Sequence, residues 1–336
     1  MQVETTKFID LFAGIGGFRT ALESFGLKCV FSSEIDTHAQ ATYKANFSEL
    51  PYGDITKINE TEIPAHDIIC GGFPCQAFSI SGKQRGFEDT RGTLFFEIAR
   101  IAKFHLPKIL FLENVKNFAR HDGGKTLKFV REILQNLGYV VFQKVLNANN
   151  FGLPMIRERI YIVAFRKDLN IERFTFPEPQ NTSGSLKDFL ESDDKTSKYI
   201  IKRNDVKMFN REVLPEHLPP KPLQIGIINK GGQGERIYHE LGHAITLSAH
   251  GGGVASKTGA YLVNGKIRKL SPRECAKIMG FPEDFKIPVS NAQAYKQFGN
   301  SLAVPVVKAV FAQIIKTIRF ANGHDKSSFA VGLQKS

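Results

Sequence analysis

Residues 8–18 read FIDLFAGIGGF, and the rest of the fold can be worked outward from that stretch. Phe8–Ala13 is an apolar run of strand length, and Gly14, Gly16 and Gly17 turn the chain into an amphipathic helix through Phe25. Glycines in a first strand-to-helix turn leave the backbone bare, so a ligand can approach it closely. Arg19 stands where the dinucleotide fingerprint needs its third glycine, so a pyrophosphate is not expected here. A second strand, Lys28–Ser33, leads to Glu34, twenty positions after Gly14, where an acidic residue holds a ribose diol. Asp54 lies in a loop on the way to the third strand, at the same edge of the sheet. This set suits an adenosine ligand that carries no phosphates, and S-adenosylmethionine is such a ligand.

The alternation continues with a helix at Asp36–Phe47, a strand at Asp67–Cys70, a helix at Thr93–Phe104 and a strand at Lys108–Leu112. A helix at Lys125–Leu137 and strands at Tyr139–Leu146 and Arg159–Phe165 complete the series. Strands separated by helical stretches of this length predict an α/β fold with a doubly wound, mostly parallel, Rossmann-like sheet. The pattern changes after about residue 180. Residues 181–280 carry 16 Lys+Arg against 10 Asp+Glu, half of the chain's excess of +12, and ten glycines fall between Gly226 and Gly265. Long helices are not expected there; short strands and functional loops are. The expected plan is a cofactor-binding domain at 1–185, a smaller, basic, β- and loop-rich domain at 186–275 and a hinge at 276–300. A C-terminal segment at 301–336 then returns to the first domain as the amphipathic helix Val304–Phe320, with a frayed tail from Asn322.

Composition sets the outer limits. A chain of 336 residues with 42% hydrophobic and 11% aromatic residues builds a sizeable core, which excludes a wholly disordered or fibrous protein. The net charge of +12 favours an anionic partner. Cys29, Cys70, Cys75 and Cys275 show no Cys-x-x-Cys spacing, so neither a zinc site nor a disulfide scaffold is expected. The N-terminus does not read as a signal peptide, and no apolar run approaches the roughly 18 to 20 residues of a bilayer span. A soluble, cytoplasmic protein without a membrane partner is the expectation.

The residues that carry chemistry gather at the carboxyl edge of the sheet. Gly71-Gly72-Phe73-Pro74-Cys75-Gln76 starts as the third strand ends, which holds a thiol in a turn where burial is hard. A nucleophile is the best use for a thiol so placed. Cys29, Cys70 and Cys275 lie in apolar stretches and read as core residues. Glu113 follows the Lys108–Leu112 strand, and Arg157-Glu158-Arg159 precedes the Arg159–Phe165 strand. Thiol, carboxyl and guanidinium together suit attack on an aromatic ring whose nitrogen must be protonated or hydrogen-bonded.

Five blocks, in order, resemble the signatures of DNA cytosine-5 methyltransferases: Asp10–Phe18, Pro74-Cys75-Gln76, Glu113-Asn114-Val115, Arg157-Glu158-Arg159 and Gln297-Phe298-Gly299-Asn300-Ser301. The resemblance spans roughly residues 7 to 320. It implies Cys75 as the nucleophile toward carbon 6 of cytosine, Glu113 at the ring nitrogen and exocyclic amine, and Arg159, supported by Arg157, orienting the base. It implies S-adenosylmethionine as methyl donor, leaving S-adenosylhomocysteine, and no metal. Cofactor contacts are implied at Phe12, Gly14, Gly17, Glu34, Ile35, Asp54, Ile55, Pro74, Leu94, Asn300 and Ser301. The base must leave the duplex to react. Ser79–Arg91 then reads as a lid over DNA, with contacts from Ser79, Ser81, Lys83 and Arg91. Residues 186–275 resemble the family's target-recognition domain, with Gln233 filling the vacated space, Arg236 facing a guanine edge, and Thr246, His250, Gly251 and Gly252 nearby. If Gly231–Tyr261 reads DNA as in a GCGC-methylating member, the target is GCGC, modified at its inner cytosine.

Three positions depart from the family pattern. Met155 replaces a frequent Gln, Ile35 replaces a larger aromatic, and His250 stands where a Tyr is found. Duplex DNA is the expected partner, bound by a monomer. A cognate restriction endonuclease would share the site without having to bind the enzyme. The same fold methylating tRNA is the nearest rival. A nicotinamide dehydrogenase leaves Pro74-Cys75 unexplained, and a non-catalytic DNA-binding protein has no use for Cys75, Glu113 and Arg159.

Overall fold

Strand and helix follow one another in the computed structural model, which describes residues 6–73, 94–180, 184–209 and 220–321. The first half contains β1 (Lys7–Leu11), α1 (Gly17–Glu23), β2 (Lys28–Ser33), α2 (Thr37–Phe47), β3 (Ile68–Gly72), α3 (Phe95–His105), β4 (Ile109–Val115), α4 (Lys125–Asn136), β5 (Tyr139–Asn147) and β6 (Glu158–Arg166). These strands form one sheet in the order β2-β1-β3-β4-β6-β5. β1 to β4 pair in parallel, whereas β6 is antiparallel to both β4 and β5. The reversal has a covalent cause. Only residues 148–157 join β5 to β6, too short a link for a parallel crossover, so the chain turns back as a hairpin.

Alternation along each strand sorts side chains to two faces. In β4, Ile109 and Phe111 join a core with α1 and α8, while Leu110 and Leu112 join one with α3 and α4. Pairing with β6 continues through Val115 opposite Arg159, so Glu113 is a residue of β4 itself and not of a loop beyond it. The extra pairing gives the backbone of residues 113–115 its hydrogen-bond partners.

After the short helix α5 (Asp193–Thr196), a second sheet of β7 (Val206–Met208), β8 (Gln224–Ile228), β9 (Arg236–His239), β10 (Ala260–Val263) and β11 (Lys266–Lys269) runs in the order β11-β10-β9-β8-β7. Its small core contains Leu223, Ile225, Ile228, Ile237, Ala255 and Ala260. No helix of four or more residues is found between β8 and β11. The chain returns through α6 (Pro272–Ile278), α7 (Asn291–Asn300) and α8 (Val304–Ala321), all of which bury side chains in the large core. Asn291–Ala321 is long and apolar enough to cross a membrane, but it consists of α7 and α8 with most of that window buried inside the fold. The tail expected to fray, residues 322–336, lies outside the described residues.

The junction between β11 and α6 carries a buried ion pair. Arg268 donates from Nη1 and Nη2 to the two carboxylate oxygens of Glu274 at 2.8 and 2.7 Å, and both side chains are almost fully buried. Glu274 also accepts the backbone N–H groups of Ser271 and Glu191, which anchors the start of α6. Removing one partner of such a pair leaves a buried charge uncompensated, at a cost of about 3–5 kcal/mol. Arg268→Met is expected to lower the unfolding free energy by about that amount in urea denaturation. A loss below about 1 kcal/mol would show that the pair does not hold this junction.

Candidate active site

The carboxyl ends of β1 to β4 open onto a cleft of about 400 Å³. At the β1 turn, Phe12 and Gly14 have φ near +57° and Gly16 has φ +84°, which bends the chain away so that α1 can start at Gly17. Nothing lies within 4 Å of where a Gly14 side chain would stand, so this turn presents open backbone to the cleft. Glu34 is fixed from two sides: Gly14 N–H donates to one carboxylate oxygen and Asp36 N–H to the other, each at 2.8 Å. Burial raises the pKa of Glu34, and those two N–H groups oppose the rise. Asp54 is half-buried, and the hydroxyl and N–H of Thr56 hold its carboxyl below the usual range. Ile35, 69% exposed, leaves an apolar surface at the mouth of the cleft for a ligand to cover.

Phe12, Gly14, Gly17, Glu34, Ile35, Asp54, Ile55, Leu94, Asn300 and Ser301 all line this one cleft, although the sequence spreads them from residue 12 to residue 301. The wall formed by the strand ends adds Glu113 and Arg159. Their juxtaposition follows from register: Gly72 is opposite Glu113 across β3 and β4, and Val115 is opposite Arg159 across β4 and β6. Arg159 Nε lies 3.1 Å from Glu113 Oε1, with both side chains largely buried. Burial pushes the Glu113 pKa up, and the positive charges of Arg159 and Arg157 pull it back. Asn114 Nδ2 donates to the carbonyl of Phe73 at 2.9 Å, tying β4 to the residue after β3.

Pro74, Cys75, Ser79, Ser81, Lys83 and Arg91 lie outside the described residues; Phe73, two positions before Cys75, lines the cleft. Arg157, expected to support Arg159, stands behind the cleft wall. It is fully buried and not part of the cleft wall, because its guanidinium faces the carbonyls of Leu247, Gly299 and Ser301. Gln233, Arg236, Thr246, His250, Gly251 and Gly252 are exposed on the second domain. Arg236 is steadied by Nε donating to the carbonyl of Gly231, and the Thr246 hydroxyl donates to the carbonyl of Ile156. Gly234 and Gly253 let the two glycine loops touch: a side chain on Gly234 would stand 2.4 Å from the carbonyl oxygen of Gly252, and one on Gly253 3.0 Å from that of Gln233.

Several cleft residues escaped the sequence. Lys296 closes one side through an ion pair with Asp36 at 2.7 Å. Gln297 accepts the Thr42 hydroxyl, while its buried Nε2 has no partner. The run Tyr295–Ser301 carried the clue, since its polar residues recur on one face of a helix. Among the described residues, no group of three or more His, Cys, Asp or Glu is arranged to hold a metal ion.

Residues 6–316 match the family model described as C-5 cytosine-specific DNA methylase. The chain is 55% identical over 319 residues to the type II methyltransferase M.HhaI of Haemophilus parahaemolyticus, covering 95% of this chain and 97% of the relative. It is 45% identical over 340 residues to the type II methyltransferase M.HpaII of Haemophilus parainfluenzae, covering 94% and 90% respectively. Among solved structures it resembles Spodoptera frugiperda DNMT2, with TM-score 0.70, 20% identity and coverage of 94% of this chain and 99% of that one. The Dnmt2 methyltransferase of S. pombe gives TM-score 0.69 at 21% identity over 94% of this chain and 100% of that one. At those identities the structural likeness is one of fold.

The balance at Glu113 is directly measurable. A raised pKa means that the folded chain favours the protonated carboxyl, so Glu113 keeps its proton to higher pH than a free Glu side chain. Its carboxyl carbon, followed by NMR, is expected to titrate above the ordinary Glu value of about 4.3. Because Arg159 lowers that pKa, Arg159→Met moves the midpoint higher still. A midpoint that falls in Arg159→Met would reverse the assigned cause.

Proposed function

The chain belongs to the C-5 cytosine-specific DNA methylase family and is a DNA cytosine-5 methyltransferase, and from that premise we propose how its residues divide the work. The observation that carries the reading is the Glu113–Arg159 pair on the wall of the cleft that Glu34 and the glycine turn also line. The family uses S-adenosylmethionine, and the cleft suits it: Glu34 offers a fixed carboxylate for ribose hydroxyls, Gly14 offers bare backbone, and Gln297 offers an unpaired buried donor. Phe12, Gly17, Ile35, Asp54, Ile55, Leu94, Asn300 and Ser301 would hold the rest, with Pro74 as a further contact. We propose that no metal takes part.

Carbon 5 of cytosine is too poor a nucleophile to take a methyl group unaided. The Cys75 thiolate adds to carbon 6, and Glu113, whose pKa burial raises, donates its proton to the ring nitrogen as electrons move onto the ring. Arg159 holds Glu113 in place and offsets negative charge on the base. Bound S-adenosylmethionine supplies the electrophilic methyl group, leaving S-adenosylhomocysteine. Loss of the carbon-5 proton to solvent then expels the Cys75 thiolate, the ring nitrogen returns its proton to Glu113, and the aromatic ring is restored. The thiolate regained balances the thiolate spent.

For this chemistry the cytosine must be flipped out of a duplex, at a cost of a few kcal/mol. The proposed division is a catalytic domain at 1–185, a target-recognition domain at 186–275, a hinge at 276–300 and a returning segment at 301–336. In the recognition domain Gln233, Arg236, Thr246, His250, Gly251 and Gly252 are the proposed DNA contacts, with Ser79, Ser81, Lys83 and Arg91 as further ones. The proposed target is GCGC, methylated at the inner cytosine, and the enzyme is proposed to act as a cytosolic monomer beside a cognate endonuclease.

Radiolabelled S-adenosylmethionine incubated with duplex DNA or tRNA tests the substrate, with label expected in the DNA alone and GCGC sites becoming resistant to methylation-sensitive cleavage. Cys75→Ser is expected to reduce methyl transfer by at least about 1,000-fold, the scale of losing a covalent step, whereas Cys29→Ser largely spares it. Label entering only tRNA, or a fully active Cys75→Ser protein, would sink the assignment.

A further inference from the structure

The first arginine of Arg157-Glu158-Arg159 is placed where three ligand-binding elements meet. Its Nη1 donates to the carbonyl of Leu247 at 3.2 Å, and its Nη2 donates to the carbonyls of Gly299, at 3.0 Å, and Ser301. Leu247 belongs to the recognition segment, Gly299 and Ser301 to the end of α7 that lines the cofactor cleft, and Arg157 itself adjoins the start of β6, two residues before Arg159. The guanidinium does not wander, because its backbone is pinned too: Arg157 N–H donates to Asn147 Oδ1 at 2.9 Å, and Ala148 N–H donates to the Arg157 carbonyl at 3.0 Å.

The two segments it clasps are already in backbone contact. A side chain on Gly299 would stand 2.3 Å from both the carbonyl carbon of Ser248 and the nitrogen of Ala249, so only glycine lets α7 come this near. Along the same seam, Met155 forms a bridge with Ala244, Ala244 N–H donates to the Pro154 carbonyl, and the Thr246 hydroxyl reaches the Ile156 carbonyl. Leu247 therefore cannot shift relative to Ser301 without breaking a hydrogen bond to a buried, charged group.

We propose that Arg157 is a positioning residue that couples the two ligands, tying the cofactor-binding turn at Gly299–Ser301 to the DNA-facing segment at Thr246–His250, so that occupancy of one strengthens the hold on the other. The inference rests on the proposed assignment of the cleft to the cofactor and of that segment to DNA. Coupling of this kind is reciprocal. It needs the planar fork of arginine, whose two separate Nη atoms reach Leu247 on one side and Gly299 and Ser301 on the other, a span that the single nitrogen of lysine does not cover.

The test measures the dissociation constant of a GCGC duplex with and without saturating S-adenosylhomocysteine. In the wild-type chain the ratio is expected to be roughly tenfold or more. In Arg157→Lys it should fall toward one, while each ligand alone binds within about threefold of wild type. A folded Arg157→Lys protein that keeps the full ratio would overturn the proposal, as would a wild-type chain that binds both ligands with a ratio of one. A wild-type chain that binds neither ligand refutes the functional assignment instead, and the coupling falls with it. A second measurement needs no substitution: S-adenosylhomocysteine alone, without DNA, should slow hydrogen exchange of the backbone amides at residues 246–250. Unchanged exchange there counts against the clasp even if the variant fails to fold.

Discussion

Because β6 runs against β4, the first residues of one strand lie beside the last residues of the other, and Glu113 meets Arg159 at the edge where ligands of an open α/β sheet gather. Had β6 been parallel, its start would have lain at the opposite edge. β4 spans seven residues, and at about 3.3 Å per residue that is roughly 20 Å away. The carboxyl–guanidinium pair thus depends on a hairpin, which in turn depends on the shortness of the link between β5 and β6. The other features of the site are arranged around this fixed point: Gly72 beside Glu113, Asn114 holding the Phe73 carbonyl, and the glycine turn of β1 one strand further on.

The electrostatics of the cleft come from one opposition used twice. Glu34 and Glu113 are both withdrawn from water, which favours their neutral forms. At Glu34 two backbone N–H groups favour the charged form and fix the orientation of both oxygens, as a receptor for hydroxyl donors requires. At Glu113 the opposing influence is the charge of Arg159, with its Nε beside one oxygen and Gly72 beside the other. One carboxyl is thereby held by neutral backbone donors and the other by a cation.

Much of this was legible in the sequence. The glycine turn at 14–17, Glu34 twenty residues on, and Glu113 just after an apolar strand announced a ligand at the carboxyl edge, because strand period and turn chemistry are local signals. What local signals could not carry was direction. The run Arg159–Phe165 reads as a strand in either orientation, and its reversal followed only from the length of the preceding link. The surroundings of Arg157 were hidden for a different reason. Arg157 and Arg159 would share a face of a regular strand, but β6 begins only at Glu158, so Arg157 is free of the strand's alternation and turns to the carbonyls behind the wall while Arg159 reaches Glu113. Lys296 and Gln297 were obscured by distance, since a helix near the C-terminus shows nothing in sequence of the Asp36 and Thr42 side chains it meets.

The glycines of the second domain explain why it could forgo helices and still present a defined surface. Short strands alone leave loops loose, but Gly234 and Gly253 let one loop's backbone rest against the other's, and the N–H of Ala255 closes onto the carbonyl of Gly234 at 2.9 Å. Glu235 reinforces the first loop by accepting from Asn229 Nδ2 and from the N–H of Gly232. The exposed side chains of Gln233 and Arg236 consequently project from a braced backbone and not from a free loop, which reduces the conformational entropy lost when they meet a partner. The same device recurs at Gly299, where backbone packs on backbone between α7 and the recognition segment. Close approach without side chains is how the second domain's Ser248–Ala249 backbone meets the end of α7, and the charged fork of Arg157 closes that joint.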